Sequence, residues 1–267
     1  MEQAVSLTGC FDVFFTATSR PQAHRLVRPH SLEGHSADQG ARRAEVAGCM
    51  AIARGRYVRM TPPEFISRVI RVYREAKRPR FPHPRVRRGR AASVAPALEE
   101  LVAYWLAVNL PRDTQIWVDQ PVRFPGVNRI AWYFDIAIVR NGAIRAILDI
   151  KADIGWMRDE FIDICRRHRK RMQMIRGCVG EIRDRLQGSH RAVRVSNRCC
   201  HHIVIISGEN ISANQREVAL RRAKSCEPEL HVYVLSEGTH PNDVAKGLSG
   251  IRVNRDAFDL LLKRLAR

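Results

Sequence analysis

The sequence predicts an α/β fold in which helices flank a mixed sheet. Apolar residues follow helical spacing in some segments and a period of two in others. Two apolar runs meet at Asn141-Gly142, a dipeptide typical of a two-residue hairpin turn, which predicts an antiparallel strand pair. Two later apolar runs each follow a predicted helix, which predicts parallel neighbours in the same sheet.

The first part of the chain, residues 1–92, is predicted to be an N-terminal appendage. Residues 1–56 show no sustained period, which indicates a loosely ordered arm. A helix over 62–76 is favoured because Thr61 suits its cap and five apolar residues recur at helical spacing. The segment 77–90 has seven basic residues, three prolines and no acid, which predicts an extended connector.

The second part, residues 93–267, is predicted to hold the sheet. Ser93 is expected to cap its first helix. In order, we predict a helix over 93–109, strands over 115–124, 130–140 and 143–150, a long helix over 156–187 with breaks near its glycines, a strand over 201–207, a helix over 212–223, a strand over 230–235 and a helix over 255–267.

Basic residues strongly outnumber acidic ones. The chain has 46 lysines and arginines against 27 aspartates and glutamates, which gives a formal charge of +19. Such a charge favours a polyanionic partner, and the arginine fork matches phosphate oxygens. The candidate phosphate-binding residues lie in the connector and in the long helix: Arg85, Arg87, Arg88, Arg90, Arg167 and Lys170. A solvated linker and a merely solubilising surface are the alternative interpretations.

Other features argue against a membrane protein and against a disulfide scaffold. No segment approaches the roughly 18 uninterrupted apolar residues of a membrane helix. The seven cysteines are an odd set without C-x-x-C pairs, which favours a reducing cytoplasm. The run Cys199-Cys200-His201-His202 is not expected to bind zinc, because adjacent residues cannot easily share one tetrahedron.

Two acids and a lysine lie on the predicted hairpin. Asp135 interrupts an apolar strand, where a carboxylate is costly unless a partner or a cation compensates it. Asp149 and Lys151 end the next strand, and the period of two gives them the same face of the sheet. Asp135 lies six residues before Asn141 and Asp149 lies seven after Gly142, so the two acids should converge on one ion.

This group has the composition of a magnesium site. Two carboxylates and water offer the hard oxygen ligands that Mg²⁺ prefers. Lys151 would orient or help deprotonate an attacking water and stabilise charge on a scissile phosphate. The sequence therefore predicts Asp135 and Asp149 as catalytic metal ligands and Lys151 as a catalytic residue; a buried salt-bridge cluster is the alternative.

These residues resemble the motif of the PD-(D/E)xK nuclease superfamily, which includes most type II restriction endonucleases. Asp135 looks like the first acid, and Asp149 with Lys151 looks like the (D/E)-x-K pair, although Phe134 stands where the motif has proline. The resemblance covers residues 93–207. It implies a restriction-endonuclease-like core of order αβββαβ, with a mixed sheet flanked by helices.

The resemblance also implies a catalytic, metal-binding glutamate on the preceding helix, Glu99 or its neighbour Glu100. The activity implied is magnesium-dependent hydrolysis of double-stranded DNA by a type II restriction endonuclease. A structure-directed nuclease acting on junctions or in repair stays open, and so does a non-catalytic nucleic-acid-binding protein on the same fold. A homodimer is also open, because cutting both strands needs two centres or two encounters.

Overall fold

The computed structural model describes residues 58–127, 131–155, 160–183, 189–244 and 247–267. The predicted arm over residues 1–56 lies outside the described residues, as does the start of the helix predicted over 156–187. The described residues lie in one compact unit. A division of the chain between residues 92 and 93 stays a prediction. Among the described residues, no helix combines the length and the apolar character that crossing a membrane requires.

Two helices precede the sheet. Helix α1 spans Pro62–Ala76 as predicted, and Thr61 caps it in a reciprocal arrangement with Glu64. Helix α2 spans Ala95–Asn109, and the prediction that Ser93 caps it was wrong, because Val94 is the capping residue and makes no side-chain cap. A proline near the start of α2 has no N–H, which removes one of the amides that a serine cap would serve.

Three strands follow, as the sequence predicted: β1 spans Gln115–Arg123, β2 spans Trp132–Arg140 and β3 spans Ala143–Lys151. The antiparallel pairing of β2 with β3 was predicted, and β1 also pairs antiparallel with β2. The turn between β2 and β3 places Asn141 at φ 51° and Gly142 at φ 69°. Positive φ at both central residues is the geometry of a type I′ turn, which fits the right-handed twist of the strands. The hairpin that carries Asp135 and Asp149 therefore forms for the reason that the dipeptide indicated.

The predicted long helix over 156–187 was wrong in its second half. Helix α3 spans Phe161–Ile175, strand β4 spans Val179–Arg183 and the 16-residue strand β5 spans His190–Ile205. Gly177 has φ 78°, a left-handed conformation that ends a helix. The first half of β5 alternates exposed residues with buried Val193 and Val195, the period of a half-buried strand.

The rest of the chain alternates helices and short strands. Its elements are helix α4 over Ala213–Ala223, a 3₁₀ turn over Lys224–Cys226, strand β6 over Leu230–Val234, strands β7 over Ser236–Gly238 and β8 over Ile251–Val253, and helix α5 over Arg255–Leu265. Strands β7 and β8 form a separate antiparallel pair. The helices and the strand β6 agree with the prediction to within a few residues.

The main sheet has six strands in the order β3-β2-β1-β4-β5-β6, and β3 also pairs with β5. Five of its strands therefore close into a ring, with β6 paired to β5 outside it. The β3–β5 and β5–β6 pairs are parallel, whereas the other pairs are antiparallel. The mixed α/β class predicted from the sequence is confirmed.

The two faces of the hairpin pack into different apolar clusters. Ile136 and Leu148 belong to the cluster that α1, α2 and α5 cover, where Phe258 meets Trp105 with ring centroids 5.0 Å apart. Ala137 and Ile147 belong to the cluster on the other face, which includes residues of α3. Because side chains alternate along a strand, Asp135 and Asp149 share the face of Ala137 and Ile147.

Candidate active site

Asp135 lies where β2 and β3 separate. The ladder between the two strands ends at the pair Ile136–Leu148, and β3 continues from Asp149 to Lys151 alongside β5 only. The Asp135 carboxylate fills the gap by accepting a hydrogen bond of 2.6 Å from the backbone N–H of Ile150. The divergence of the strands thus opens the sheet at the point where the two acids meet.

Asp149 and Lys151 lie on β3 beside Asp135. Continuing the register by one residue from Ile136–Leu148 sets Asp135 opposite Asp149. The Lys151 ammonium donates a hydrogen bond of 2.9 Å to Asp149 Oδ1. The side chain of Asp149 is 13% exposed and that of Lys151 is 28% exposed, so the lysine lies nearer the solvent. The three residues predicted from the sequence share one face and one neighbourhood.

The two carboxylates differ in pKa because their surroundings differ. Burial and the neighbouring Asp149 charge raise the pKa of Asp135 to about 7, although the Ile150 amide and Lys151 oppose the shift. Burial alone would raise the pKa of Asp149, but His168 and Lys151 outweigh it and hold that pKa well below the usual range. Two carboxylates facing each other in a partly desolvated place are the arrangement that a cation relieves.

Glu99, rather than Glu100, faces this group. Glu99 is half-buried on α2 and lines the same groove as Asp135 and Lys151, whereas Glu100 is exposed. Burial, the Asp119 charge and the Asp149 charge raise the pKa of Glu99, and Lys151 opposes them. Asp119 was not singled out from the sequence; it lies on β1 with φ 47°, in a strand where the apolar pattern gives no sign of it.

An open groove of about 850 Å³ leads to the site. Its lining includes Glu99, Asp135 and Lys151, and it also includes the segment 91–95, which directly follows the basic connector. Asp149 does not line the groove; its carboxylate lies below Asp135. Asp135 lines both the open groove and a small cavity that Asp149 also lines. Asp135 therefore lies between the solvent and the Asp149 carboxylate.

The connector is attached to the rim of this groove at its beginning. The ammonium of Lys77 donates a hydrogen bond of 2.7 Å to the carbonyl of Asn242, which lines the groove. Arg88 donates one of 3.2 Å to the carbonyl of Ala76, the last residue of α1. The remaining predicted phosphate-binding residues of the connector are exposed: Arg85, Arg87 and Arg90. Exposed basic side chains therefore precede, along the chain, the segment 91–95 that lines the groove.

Asp153 stabilises the loop that follows β3. Its carboxylate accepts hydrogen bonds from the Gly155 N–H at 2.8 Å and from the Asn210 amide at 2.9 Å. His240 lies 3.5 Å from the same carboxylate. These contacts give Asp153 a structural role.

Helix α3 brings a histidine that sequence reasoning missed. Arg167 and Lys170 are exposed on this helix, but His168 between them is 14% exposed and its Nε2 lies 3.6 Å from Asp149 Oδ2. At this distance His168 lowers the pKa of the Asp149 carboxyl. The signal was present in the sequence, because His168 completes the buried stripe of Phe161, Cys165, Met172 and Ile175 at spacings of three and four.

His201 on β5 joins the same neighbourhood. Strand alternation separates the run Cys199–His202: His201 stacks on His168 with ring centroids 4.0 Å apart, whereas His202 contacts Tyr233. His201 and His202 therefore lie on opposite faces of the strand. One ligand atom each from Asp149, His168 and His201 lies within 4.8 Å of the other two. The sequence gave no reason to expect this grouping.

Comparisons with known proteins add little to this geometry. No protein-family model matches the chain, and no similar curated protein is found. Among solved structures, the chain is similar to NucC from Pseudomonas aeruginosa ATCC27853 in its cAAA-bound form. The TM-score is 0.40 and the identity 13%, over 76% of this chain and 87% of that chain. Because both values are low, the site and its chemistry are derived from the chain's own residues.

Proposed function

We propose that this chain is a magnesium-dependent endonuclease that hydrolyses phosphodiester bonds of double-stranded DNA. The observation that supports it is the meeting of Asp135, Asp149, Lys151 and Glu99 where β2 and β3 diverge, at the end of an open groove. This is the residue set that the resemblance to the PD-(D/E)xK superfamily implies. The formal charge of +19 and the exposed arginines beside the groove favour a phosphate backbone as partner.

The residues fit magnesium. Asp135 and Asp149 lie opposite each other, and burial together with the Asp149 charge raises the pKa of Asp135 even though the Lys151 ammonium binds Asp149. Their carboxylates, with Glu99 directly or through water, provide oxygen ligands beside a groove wide enough for hydration. When bound, magnesium supplies Lewis-acid stabilisation of charge at the scissile phosphate.

The chain's own groups account for the remaining steps. Lys151, held by Asp149 and partly exposed, lies where it can orient the attacking water and stabilise charge that develops on the phosphate. Glu99 borders the groove and can accept a hydrogen bond from that water. Connector arginines contact neighbouring phosphates of the backbone, which helps to hold the scissile phosphate at the centre.

The finer assignment within this proposal is a type II restriction endonuclease. Cutting both strands would require a homodimer or two successive encounters. A nuclease that acts on junctions or damaged DNA uses the same chemistry, and substrate comparison separates the two: linear duplex, four-way junction and single strand. Preference for the junction would favour the structure-directed enzyme.

The test is cleavage of supercoiled plasmid by the purified chain with magnesium. The wild type is expected to nick or linearise the plasmid, and Asp149→Asn is expected to abolish cleavage while retaining DNA binding. Asp163→Asn is the matched control, because Asp163 is an exposed carboxylate on α3 paired only with Arg166 among the described residues. Equal cleavage by Asp149→Asn and the wild type would rule out the proposed centre. Binding without magnesium-dependent product by the wild type would favour the non-catalytic alternative.

A further inference from the structure

A small cavity lies beneath the groove, between α3 and the strands β2, β3 and β5. It measures about 20 Å³, which is room for a single water molecule or metal ion. Its polar wall consists of Asp135, Asp149, His168, His201 and Arg171, and the rest of the lining is mostly apolar. Side chains from four elements thus converge on a space that admits one small occupant.

Three atoms of this wall have no hydrogen-bond partner among the described residues: Asp149 Oδ2, His168 Nδ1 and His201 Nε2. A buried polar atom without a partner costs on the order of 1–3 kcal/mol. His201 is 4% exposed, so bulk water does not serve its ring. An ion or molecule in the cavity would supply the partners that these nitrogen and oxygen atoms lack.

We propose that Asp149, His168 and His201 form a second metal site, which takes a divalent transition metal of the zinc class. Two imidazole nitrogens and one carboxylate oxygen are ligand types that Zn²⁺ takes, with water in a fourth position. Magnesium prefers oxygen alone, so the donor set distinguishes this site from the one at the groove. The ligand atoms already lie within 4.8 Å of one another.

The positive groups nearby leave the carboxylate available. Lys151 hydrogen-bonds to Asp149 Oδ1, while Oδ2 faces His168 at 3.6 Å. The Arg171 guanidinium, which also borders the cavity, lies 5.2 Å from the centroid of the Trp132 ring and so has an aromatic partner of its own. Each oxygen of Asp149 therefore has a separate role, one toward Lys151 and one toward the ion.

The second ion would position Asp149 for the first. Bound at Oδ2, it would fix the carboxylate plane and hold Oδ1 toward Lys151, which lines the groove. This positioning role rests on the proposed function, because it assumes that Asp149 serves a magnesium site. Binding of the transition metal does not depend on that assumption and can be measured without DNA.

The experiment titrates the full chain, stripped of metal by a chelator, with Co²⁺ as a spectroscopic stand-in for Zn²⁺. We expect one equivalent to bind with the visible d–d absorption of a low-coordinate ion, and Zn²⁺ to displace it. His168→Asn and His201→Gln should each weaken Co²⁺ binding by at least about tenfold. His231→Gln is the matched control, since His231 is half-buried on β6 and pairs with Glu227.

The outcomes separate the two metal sites. Asp135→Asn should lose magnesium-dependent cleavage but keep Co²⁺ binding, so a failure of the nuclease proposal and a failure of this one look different. Circular dichroism monitors folding; should His201→Gln unfold, the more exposed His168→Asn decides. Unchanged Co²⁺ affinity in His168→Asn overturns the proposal. Intense thiolate-to-cobalt bands would also overturn it, since they would place the ion on cysteines such as Cys178 and Cys200.

Discussion

The Asp135 carboxylate accepts a 2.6 Å hydrogen bond from the backbone N–H of Ile150, at the place where the β2–β3 ladder has ended. A side chain thus takes over the amide that the missing ladder bond would have used, which satisfies a backbone donor in a partly buried site. The same contact aims the carboxylate at Asp149. The opening of the sheet and the position of the first acid have one structural cause.

Asp135→Asn should stabilise the metal-free protein at neutral and alkaline pH. Burial and the Asp149 charge raise the folded-state pKa from 3.8 to about 7, so the folded state holds this proton more tightly than the unfolded state. The stability that protonated Asp135 contributes is present at low pH and lost as the pH rises through about 7. Asparagine keeps an oxygen acceptor for the Ile150 N–H without the charge.

Thermal unfolding measured with and without magnesium checks this prediction. The melting temperature of Asp135→Asn should exceed that of the wild type at pH 8, and the difference should shrink toward pH 5. Magnesium should raise the melting temperature of the wild type and not that of the variant. A wild type that is more stable than Asp135→Asn at pH 8 without metal would show that the buried like-charge pair does not destabilise the fold.

Phe258→Ala should destabilise the whole fold rather than the site. Phe258 on α5 is fully buried and contacts both Phe65 and Trp105 edge-on, with ring centroids 5.5 and 5.0 Å away. Truncating such a ring costs about 3–5 kcal/mol. Denaturant unfolding measures the loss, with exposed Leu260→Ala on the same helix as the control. A change below about 1 kcal/mol would mean that α5 does not pack as described.

The hairpin acids were predictable because their positions depend on local rules. The turn at Asn141-Gly142 pairs Arg140 with Ala143, and the period of two fixes the face that Asp149 and Lys151 share. Asp135 stood out because a carboxylate inside an apolar strand needs a reason. The turn register alone would set Asp135 opposite Leu148; a β-bulge between Ile138 and Val139 shifts the pairing by one residue and brings Asp135 opposite Asp149, and the sequence gave no sign of that bulge.

His168 and His201 were not predictable in the same way. They lie 33 residues apart on different elements, and only the packing of α3 against β5 brings their rings together. The helix predicted over 156–187 covers β4, and the first part of β5 was assigned to no element, although buried Val193 and Val195 alternate there with exposed residues. Tertiary contacts, unlike turn chemistry, cannot be derived from neighbouring residues alone.

Glu99→Gln should reduce cleavage more than Glu100→Gln. Glu99 lines the groove with Asp135 and Lys151, whereas Glu100 is exposed one residue away, so the pair forms a matched test. Loss of a ligand or of a group that holds a ligating water should lower kcat by at least about tenfold. Single-turnover cleavage of plasmid DNA measures the effect. Equal rates for the two variants would remove Glu99 from the site.

Ionisation of Glu99 should make the cleavage rate of the wild type depend on pH. Burial, with the Asp119 and Asp149 charges, raises the pKa of Glu99, so its ionised form develops at higher pH than that of an exposed glutamate. A reaction that needs ionised Glu99 and ionised Asp135 should therefore accelerate as the pH rises from about 5 to 8. Asp119→Asn should move the rise to lower pH by removing one of the like charges. A profile that stays unchanged in Asp119→Asn would contradict this electrostatic coupling.

Replacing the connector arginines should weaken DNA binding without removing the catalytic centre. Arg85, Arg87 and Arg90 are exposed beside the segment that borders the groove. If each contacts one phosphate, their combined change to alanine should make the slope of log K against log salt shallower by about 0.9 for each lost contact. Fluorescence anisotropy with a labelled duplex, at several salt concentrations and without magnesium, measures that slope.

The control for this effect is a triple variant of equal charge on other surfaces. Its residues are exposed basic side chains on α4, on the 3₁₀ turn after it and on β8: Arg221, Lys224 and Arg252. Both triple variants lower the net charge by three, so a non-specific field would weaken binding equally in the two. A shallower slope for the connector variant alone places the duplex along 85–90 and toward Asp135. Equal slopes would support the alternative interpretation, in which the connector is a solvated linker that does not contact DNA.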